Sequence, residues 1–321
     1  MAKIIKNIQN FSSQYNLWSK GSKIIIGVSG GPDSICLLDI LYFLSKKYDF
    51  ELQIAHVNYR LRGKDAVDDE KLVKEFGKKY KLKVNVLKPK KSSYVGNIEN
   101  ALRDIRYEYF EELRNESGFD FIAVAHNQND QAETVLMRII RGAGLNGLRA
   151  MRPRSGKLIR PLLKVSRAEI LSYLKENKLT YRIDKTNQLV DIMRNRIRHG
   201  ALPYLEKEFN PSIIKTLSEL AYSVTDDYDF IEKGAERFAI SVCTDNQVSF
   251  VESDFLILHI SMQRQVLRQI FSLLCGQIKN IKYSHIEEIR KVIRSGKSKT
   301  KIAIIGGLKI SKKGARIEIF C

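Results

Sequence analysis

The first part of the chain alternates between short apolar runs and longer segments in which apolar residues recur at helical spacing. The apolar runs have the length of buried strands, and the spaced segments have the length of helices. Strands and helices that alternate over short connections are typical of a parallel sheet covered on both faces. We therefore predict an α/β fold with a parallel, doubly wound sheet. The predicted strands are residues 23–28, 51–59, 84–87 and 121–125, and the helices after them are predicted to begin at residues 33, 65, 97 and 129.

The remainder of the chain has a different pattern, with one long amphipathic segment, two shorter ones and two strand-like runs. Prolines at positions 203 and 211 bracket this change, so we predict one domain over residues 1–205 and a second over residues 206–321. The second domain is expected to be smaller and mainly helical and to end in a β-hairpin. Its predicted helices are residues 211–240, 262–274 and 285–295, and its predicted strands are 301–309 and 316–320, paired around Lys312-Lys313-Gly314.

The sequence SGGPDS at residues 29–34 lies between the first apolar run and the first spaced segment. Adjacent Gly30 and Gly31 let the backbone turn sharply and approach a ligand closely. The N–H groups and partial positive charge of the helix start then face an anion, and Ser29 and Ser34 add hydroxyl donors. Pro32 favours the first helical turn. We interpret this loop as a phosphate cradle, because a simple helix cap needs neither two glycines nor two serines.

Two further polar segments, residues 58–62 and 126–130, follow predicted strands. They should meet the loop at the carboxyl edge of the sheet, where ligands bind in such folds. In the first segment, Arg62 is either a contact to a nucleotide or RNA phosphate or a solvated loop arginine. In the second, His126 is either an orienting hydrogen-bond partner or a packed histidine.

Asp130 and Glu133 lie three residues apart on a helix predicted to begin near Asn129, so their side chains share a face. Acids in the first turn of a helix can simply serve the helix dipole. At this edge of the sheet, two carboxylates can also hold Mg²⁺ or bind an ammonium group. The residues alone leave both interpretations open.

The chain is strongly basic, with a formal net charge of +19. Such an excess predicts a polyanionic partner, either nucleic acid or an anionic membrane. No apolar stretch approaches the length of a membrane span, and the first residues lack a signal-peptide core. We therefore expect a cytoplasmic protein that binds nucleic acid and does not enter a membrane.

The basic residues are concentrated in particular segments. Residues 134–168 hold nine arginines and lysines and no acid, which is typical of a phosphate-binding surface, although residues 166–169 also match a helix capping box. Arg194 and Arg198, four apart, would share a helix face and suit phosphate contact better than burial. Residues 290–316 hold ten basic residues and no acid, so the second domain is expected to dock RNA.

The four cysteines, at positions 36, 243, 275 and 321, are isolated from one another and form no CxxC pair. This spacing argues against a disulfide framework, a zinc site or an iron–sulfur site. Cys36 lies on the apolar face of the helix after the loop, where a small core residue is expected.

Four ordered motifs resemble those of the tRNA(Ile)-lysidine synthetase family, which belongs to the N-type ATP pyrophosphatases. The resemblance is strong over about the first 200 residues and weak beyond, where length and helical character match a short form that lacks a further carboxyl-terminal domain. The motifs are SGGPDS at 29–34, His126 with DQAET at 130–134, RGAGLNGL at 141–148, and DKTN at 184–187 followed by RNRIRH at 194–199. One departure is that the family usually has HHxDD where this chain has HNQND at 126–130.

The resemblance implies a two-step ligase reaction that uses ATP and Mg²⁺. The C2 oxygen of the wobble cytidine of an isoleucine tRNA with a CAU anticodon attacks the α-phosphate of ATP, which releases pyrophosphate. The ε-amine of free L-lysine then displaces AMP from C2 and gives lysidine. The implied partners are this tRNA and lysine, and the oligomeric state is left as monomer or homodimer.

The resemblance also implies roles for individual residues. Asp33 is expected to hold Mg²⁺ or orient the α-phosphate, and Asp130 and Glu133 to bind the lysine ammonium group and position the amine. Arg194 and Arg198 are expected to stabilise charge on the transferring phosphorus. The expected nucleotide contacts are Ser29, Gly30, Gly31, Pro32, Asp33, Ser34 and Arg62, and the other expected substrate contacts are His126, Arg141 and the pair Arg103 and Arg106 of an R-x-x-R-Y sequence.

Two other functions are compatible with such a loop. A tRNA thiolase of the same loop family would need paired or sulfur-relay cysteines, and four scattered cysteines argue against it. A non-catalytic RNA-binding protein on an old nucleotide fold is the alternative from another class. The intact loop and both acids weigh against that alternative, and absence of tRNA-dependent pyrophosphate release would favour it.

Overall fold

The structure, a computed structural model, describes residues 2–61, 63–90, 98–182, 192–244, 247–276, 281–295, 301–305 and 307–320. The chain forms two compact units, Met1–Val224 and Thr225–Cys321. We refer to them as the first and second units. Arg62 and the DKTN motif at 184–187 lie outside the described residues, so the predictions for them stay predictions.

The first unit contains a six-stranded sheet with helices on both faces, in the strand order β3-β2-β1-β4-β6-β5. The pairs β1–β2, β1–β4, β2–β3 and β4–β6 are parallel, and a short hairpin, β5–β6, closes one edge. The predicted α/β fold with a parallel sheet is confirmed. The elements are α1 (Ala2–Gln14), β1 (Lys23–Gly27), α2 (Pro32–Tyr48), β2 (Glu51–Val57), α3 (Lys64–Tyr80), β3 (Lys83–Leu87), α4 (Ile98–Ser117), β4 (Phe121–Ala123), α5 (Gln128–Ile140), α6 (Leu145–Leu148), β5 (Arg154–Ser155), β6 (Leu158–Ile159), α7 (Arg167–Glu176), α8 (Ile192–Arg196), a π-helical turn (Ile197–Ala201), α9 (Leu202–Glu208) and the start of α10 (Ile213–Ser241).

Strand β1 is uniformly apolar because both of its faces are covered by hydrophobic cores. Ile24 and Ile26 pack into the larger core beneath α2, whereas Ile25 packs on the opposite face with Phe110 of α4. All three isoleucines are fully buried. A central parallel strand covered on both faces has no position for a polar side chain, so alternation is lost.

The end of β1 is held tightly against α4. A Cβ atom at Gly27 would come within 2.7 Å of the Phe110 ring, so only glycine fits the present packing. On the other face, the carboxylate of Asp39 in α2 accepts hydrogen bonds from the hydroxyls of Tyr80 in α3 and Tyr173 in α7. The loop between β1 and α2 is therefore supported on both sides of the sheet.

The first unit extends into the long helix α10. Leu217 and Ala221 of α10 pack with Ala132 and Val135 of α5 and with Ile197. The compact units consequently divide inside α10, after Val224, while the domain boundary predicted after residue 205 stays a prediction.

The second unit combines helices with a five-stranded antiparallel sheet of order β7-β8-β11-β10-β9. The predicted terminal hairpin is present as β10 and β11, which pair across a turn at Gly314. The strand predicted over residues 301–309 was wrong in extent, because Gly307 at φ +94° turns the chain and divides it into β9 and β10. After α10 the elements are β7 (Cys243–Thr244), β8 (Gln247–Val251), α11 (Glu252–Leu256), α12 (Ile260–Cys275), α13 (Tyr283–Ile293), β9 (Lys301–Ile305), β10 (Leu308–Lys313) and β11 (Arg316–Phe320).

The second unit has a core of its own, in which Phe255 and Phe271 from the helices meet Ile310 and Ile317 from the sheet. Among the helices that the structure describes, none is long and apolar enough to cross a membrane.

Candidate active site

The loop at residues 29–34 is organised by hydrogen bonds among its own polar groups. The backbone N–H of Ser29 donates to the Ser34 hydroxyl at 3.2 Å, and the Ser34 hydroxyl lies 2.8 Å from the Gly31 carbonyl oxygen. Gly30 has φ +91°, a conformation that favours glycine. Helix α2 then begins after Gly31 without a side-chain cap, so its first N–H groups are available to an anion.

Asp33, in the first turn of α2, has two differently placed carboxylate oxygens. One oxygen, Oδ2, forms an ion pair with the guanidinium of Arg167. The other, Oδ1, is buried and has no hydrogen-bond partner among the described residues. Burial raises the pKa of Asp33 by more than Arg167 lowers it, and the nearby charge of Asp130 raises that pKa further. Asp33 and Asp130 are therefore close enough to interact electrostatically, as expected for one site at the carboxyl edge of the sheet.

Asp130 and Glu133 are both bound by Arg194 and Arg198, the two arginines that were predicted to contact phosphate. Arg194 donates to Glu133 at 2.8 Å and to Asp130 at 3.0 Å, and Arg198 donates to Glu133 at 2.6 Å and to Asp130 at 3.1 Å. Glu133 is only 1% exposed, so these are partly desolvated, charge-assisted hydrogen bonds. Burial acts to raise the pKa of Asp130, but the charges of Arg194 and Arg198 and the hydrogen bond from the Asn127 N–H act together with its other neighbours to hold the pKa below its ordinary value.

Asp130 has the helix-start role that the sequence left open, whereas its binding of Mg²⁺ or an ammonium group stays a prediction. Its Oδ2 accepts a hydrogen bond from the backbone N–H of Asn127, while the Asn127 side chain accepts one from the Asp130 N–H, which forms a capping box at the start of α5. Its Oδ1 faces the arginines. The amide at Asn129, one of the two positions that depart from the family pattern, accepts from the Arg167 N–H at 2.9 Å.

His126 lies in a group of basic side chains. Arg160 donates through Nε to His126 Nδ1 at 3.2 Å, so this nitrogen carries no proton. Burial lowers the pKa of His126 to about 3, and the charges of Arg160 and Arg106 act in the same direction. His126 is consequently a neutral acceptor that orients Arg160. The guanidiniums of Arg103 and Arg106 both lie over the Tyr107 ring, at 5.2 and 5.3 Å from its centre.

Arg141 does not join this group. It follows the last residue of α5, and a rise of about 1.5 Å per residue puts its backbone about 16 Å along the helix from Asp130. Its guanidinium contacts the Met193 sulfur at 3.6 Å and is exposed. A role for Arg141 in substrate binding stays a prediction, and any such contact lies away from Asp33.

Two arginines of the site were not predicted individually. Arg167 belongs to a real capping box, in which Ser166 accepts a hydrogen bond from the Glu169 N–H, and its own side chain reaches Asp33. Arg160 is 6% exposed and also donates to the Arg152 carbonyl oxygen at 2.7 Å. The available sequence signal was the acid-free run at residues 134–168, which contains both arginines.

The fold and loop define a PP-loop protein: residues 1–205 match the model of the PP-loop domain family, and the chain belongs to that family. Its curated sequence relatives are tRNA(Ile)-lysidine synthases, so the predicted resemblance is confirmed. The chain is 38% identical over 293 residues to that of Clostridium tetani, covering 89% of this chain and 62% of the relative. It is 32% identical over 320 residues to that of Bacillus subtilis, covering 96% of this chain and 67% of the relative.

The chain thus spans 62% of the length of the clostridial relative. Among solved structures it is similar to the U34-tRNA thiolase NcsA from Methanococcus maripaludis, with a TM-score of 0.61 and 20% identity. That match covers 70% of this chain and 79% of the thiolase chain. At this identity the likeness shows the fold alone.

The donor set at Asp33 fits a magnesium ion bound together with a nucleotide. A buried carboxylate oxygen without a hydrogen-bond partner is suited to a cation. Mg²⁺ commonly takes one or two protein carboxylates and completes its shell with phosphate oxygens and water. Among the residues described, no three or more His, Cys, Asp or Glu side chains are grouped to hold a metal by themselves. Asp33 and nucleotide oxygens would therefore share the ion.

Proposed function

We propose that this chain ligates L-lysine to C2 of the wobble cytidine of the isoleucine tRNA with a CAU anticodon. The observation that carries the proposal is the convergence of the phosphate loop, Asp33 and the network of Asp130, Glu133, Arg194 and Arg198 in one site. The family of the sequence relatives supports the choice of substrate. A cytoplasmic location stays part of this proposal.

In the first step, the C2 oxygen of cytidine attacks the α-phosphorus of ATP and pyrophosphate leaves. The uncapped start of α2, with Ser29 and Ser34, is proposed to bind the pyrophosphate portion. Bound Mg²⁺ would neutralise phosphate charge beside Asp33. Arg167, which lies against the Oδ2 of Asp33, is placed to bind the same phosphates.

In the second step, the lysine ε-amine attacks C2, the C2–O bond breaks, and AMP leaves with the oxygen. Asp130 and Glu133 are proposed to bind the ε-ammonium group of lysine, to accept the proton that it loses before the attack, and to keep the resulting amine beside C2. In the structure the same acids pair with Arg194 and Arg198. We propose that the arginines move to the α-phosphate in the first step, which frees the acids for lysine in the second.

The test is transfer of labelled lysine to a panel of purified tRNAs, with and without ATP, together with measurement of pyrophosphate release. Transfer is expected only with ATP and only to the isoleucine tRNA that carries a CAU anticodon. Asp130→Ala and Glu133→Ala are expected to lose lysine incorporation, whereas Glu112→Ala, at an exposed acid on α4, should behave as wild type. Normal lysine KM and rate in both site variants would refute the roles of the acids. Absence of tRNA-dependent pyrophosphate release would instead favour a non-catalytic RNA-binding protein.

A further inference from the structure

A basic groove runs along one face of α3, apart from the network of Asp130 and Glu133. It encloses a cavity of about 730 Å³. Its walls include Asn58 and Arg60 after β2, Lys71, Lys74 and Lys78 on α3, and Lys88 after β3. We call this the α3 groove.

The α3 groove lies in a segment with an unusual charge. Residues 71–90 contain eight lysines and a single acid, Glu75. Lys71, Lys74 and Lys78 follow one another at helical spacing and are exposed. A rise of about 1.5 Å per residue puts Lys71 and Lys78 about 10 Å apart along the helix. The groove therefore presents a line of positive charge rather than an isolated one.

A buried acid, Glu70, holds some of the basic side chains of the groove in place. Glu70 accepts hydrogen bonds from Lys74 at 2.7 Å and from Asn58 at 2.8 Å, and it pairs with Lys88 at 3.0 Å. Burial alone would raise the pKa of Glu70, but these partners lower it to about 2. The ionised Glu70 carboxylate thus holds two lysines, one on α3 and one after β3, at the groove.

Two lysines of the groove keep their charge uncompensated. Among the described residues, neither Lys71 nor Lys78 has an acidic partner within ion-pair distance. Both ammonium groups are exposed, so an external anion can pair with them, and the acids of the lining, Glu70 and Glu75, are outnumbered by its five basic side chains. Among the described residues that line it, none has an aromatic side chain on which a base could stack.

The groove begins beside the phosphate loop. Helix α3 starts at the carboxyl edge of the sheet, where β2 ends next to β1. Asp69, one residue before Glu70, lies 3.7 Å from the position that a Cβ of Gly30 would take. A polyanion that delivers a base to the loop would therefore have its neighbouring backbone within reach of the α3 groove.

We propose that the α3 groove binds the phosphodiester backbone of the RNA substrate, on the stem next to the base that is activated. This inference rests on the proposed function, since it takes the RNA substrate from it. Lysines supply compact point charges without the planar fork that reads base edges, so the contact is independent of sequence. The groove adds affinity and holds the RNA in register, while the choice of base is made elsewhere.

The test compares tRNA affinity of Lys71→Glu/Lys78→Glu with that of wild type over a series of salt concentrations. Each neutralised phosphate contributes about −0.7 to −0.9 to the slope of log affinity against log salt, so the variant should have a slope shallower by about 1.4 to 1.8. Its affinity at low salt should fall at least about tenfold. Binding of Mg-ATP without RNA should be unchanged, and Lys71→Arg/Lys78→Arg should retain the wild-type slope.

The matched control is Lys46→Glu/Lys47→Glu, an equal charge change at the exposed end of α2, outside the lining of the α3 groove. Thermal melting confirms that both variants are folded. The proposal is overturned if the α3 variant keeps the wild-type affinity and slope, or if both variants lose affinity equally. Wild-type protein that binds tRNA in a groove-dependent way but transfers no lysine would refute the proposed function and leave the groove standing. Wild-type protein that binds no RNA would refute both.

Discussion

Arg198 donates hydrogen bonds to both carboxylate oxygens of Glu133, from Nε to Oε1 at 2.6 Å and from Nη2 to Oε2 at 3.0 Å. This forked pairing is the strong form of an arginine–carboxylate contact. Glu133 has almost no exposure to water, so its charge needs a cationic partner at all times. Under the proposed function, the ammonium group of lysine would therefore compete with a guanidinium that is already present.

We predict that lysine binds weakly to the free protein and at least about tenfold more tightly once a nucleotide phosphate draws the arginines away. The physical reason is that the same two carboxylates cannot fully pair with both cations. Calorimetric titration of lysine, with and without a non-hydrolysable ATP analogue, Mg²⁺ and tRNA, measures this coupling. By linkage, lysine should change the affinity for nucleotide by the same factor.

Arg198→Gln gives the control for this coupling, because it removes one guanidinium from Glu133 and leaves Arg194 in place. Its lysine affinity without nucleotide should exceed that of wild type, and the nucleotide should improve that affinity less. If wild-type protein binds lysine equally well with and without nucleotide, the exchange of partners is wrong.

A second prediction concerns the support of the loop helix α2. Tyr173 donates to Asp39 at 2.6 Å, and Tyr80 donates to the other oxygen. Tyr173→Phe removes a hydrogen bond to a charged group and should lower the free energy of unfolding by about 1.5 to 3 kcal/mol. Urea unfolding followed by fluorescence of Trp18, which packs edge-on against Phe50 in the first unit, measures this loss.

Tyr42→Phe is the matched control for Tyr173→Phe. Tyr42 stacks on Tyr80 at 4.3 Å, and its hydroxyl has no hydrogen-bond partner among the residues described. We expect a change within about 0.5 kcal/mol. If both variants lose the same free energy of unfolding, the hydrogen bond from Tyr173 to Asp39 does not account for the loss.

The sheet and its loop were predictable because their signals are local. Ile24, Ile25 and Ile26 indicate a central strand by their uniform apolarity, and Gly30 after them supplies the positive φ that the turn uses. The three-residue spacing of Asp130 and Glu133 likewise predicted a shared face. Each of these features depends only on strand or helix periodicity.

The partners of the site residues were harder to predict, because they depend on tertiary packing. Nothing next to Arg167 in the sequence indicates that it meets Asp33, since α7 packs against α2 only in the folded chain. The division of the terminal strand at Gly307 was missed for a related reason. A glycine in a strand-like run signals a turn only when its φ is known.

The pH dependence of the free energy of unfolding should show how much the ion pairs of Glu70 with two lysines stabilise the fold. Because its pKa in the folded protein is about 2, below the ordinary 4.5, Glu70 contributes stability above pH 4.5 that is lost as the pH falls through 2. Glu70→Gln should therefore cost up to about 3 kcal/mol at neutral pH, and the difference from wild type should shrink towards pH 2. Urea unfolding at a series of pH values measures this difference in unfolding free energy.

Glu75→Gln, at an exposed acid of the same helix, is the control and should differ little from wild type at any pH. A cost of Glu70→Gln that does not change with pH would contradict the role given to the Glu70 carboxylate.

The second unit depends on a buried cation of its own. Lys312 is 3% exposed, and its ammonium donates to Glu252 at 2.6 Å and to the carbonyl oxygens of Ile293 and Ser295 at 2.6 and 2.8 Å. Lys312→Met fills the space but leaves one carboxylate and two carbonyl oxygens without their donor, so we expect a loss of about 3 to 5 kcal/mol in unfolding free energy. Urea unfolding followed by far-ultraviolet circular dichroism measures the loss. Lys313→Met removes the same charge from the next, exposed position and should cost at most about 0.5 kcal/mol. A comparable loss at both positions would show that net charge, rather than the three buried acceptors, sets the stability.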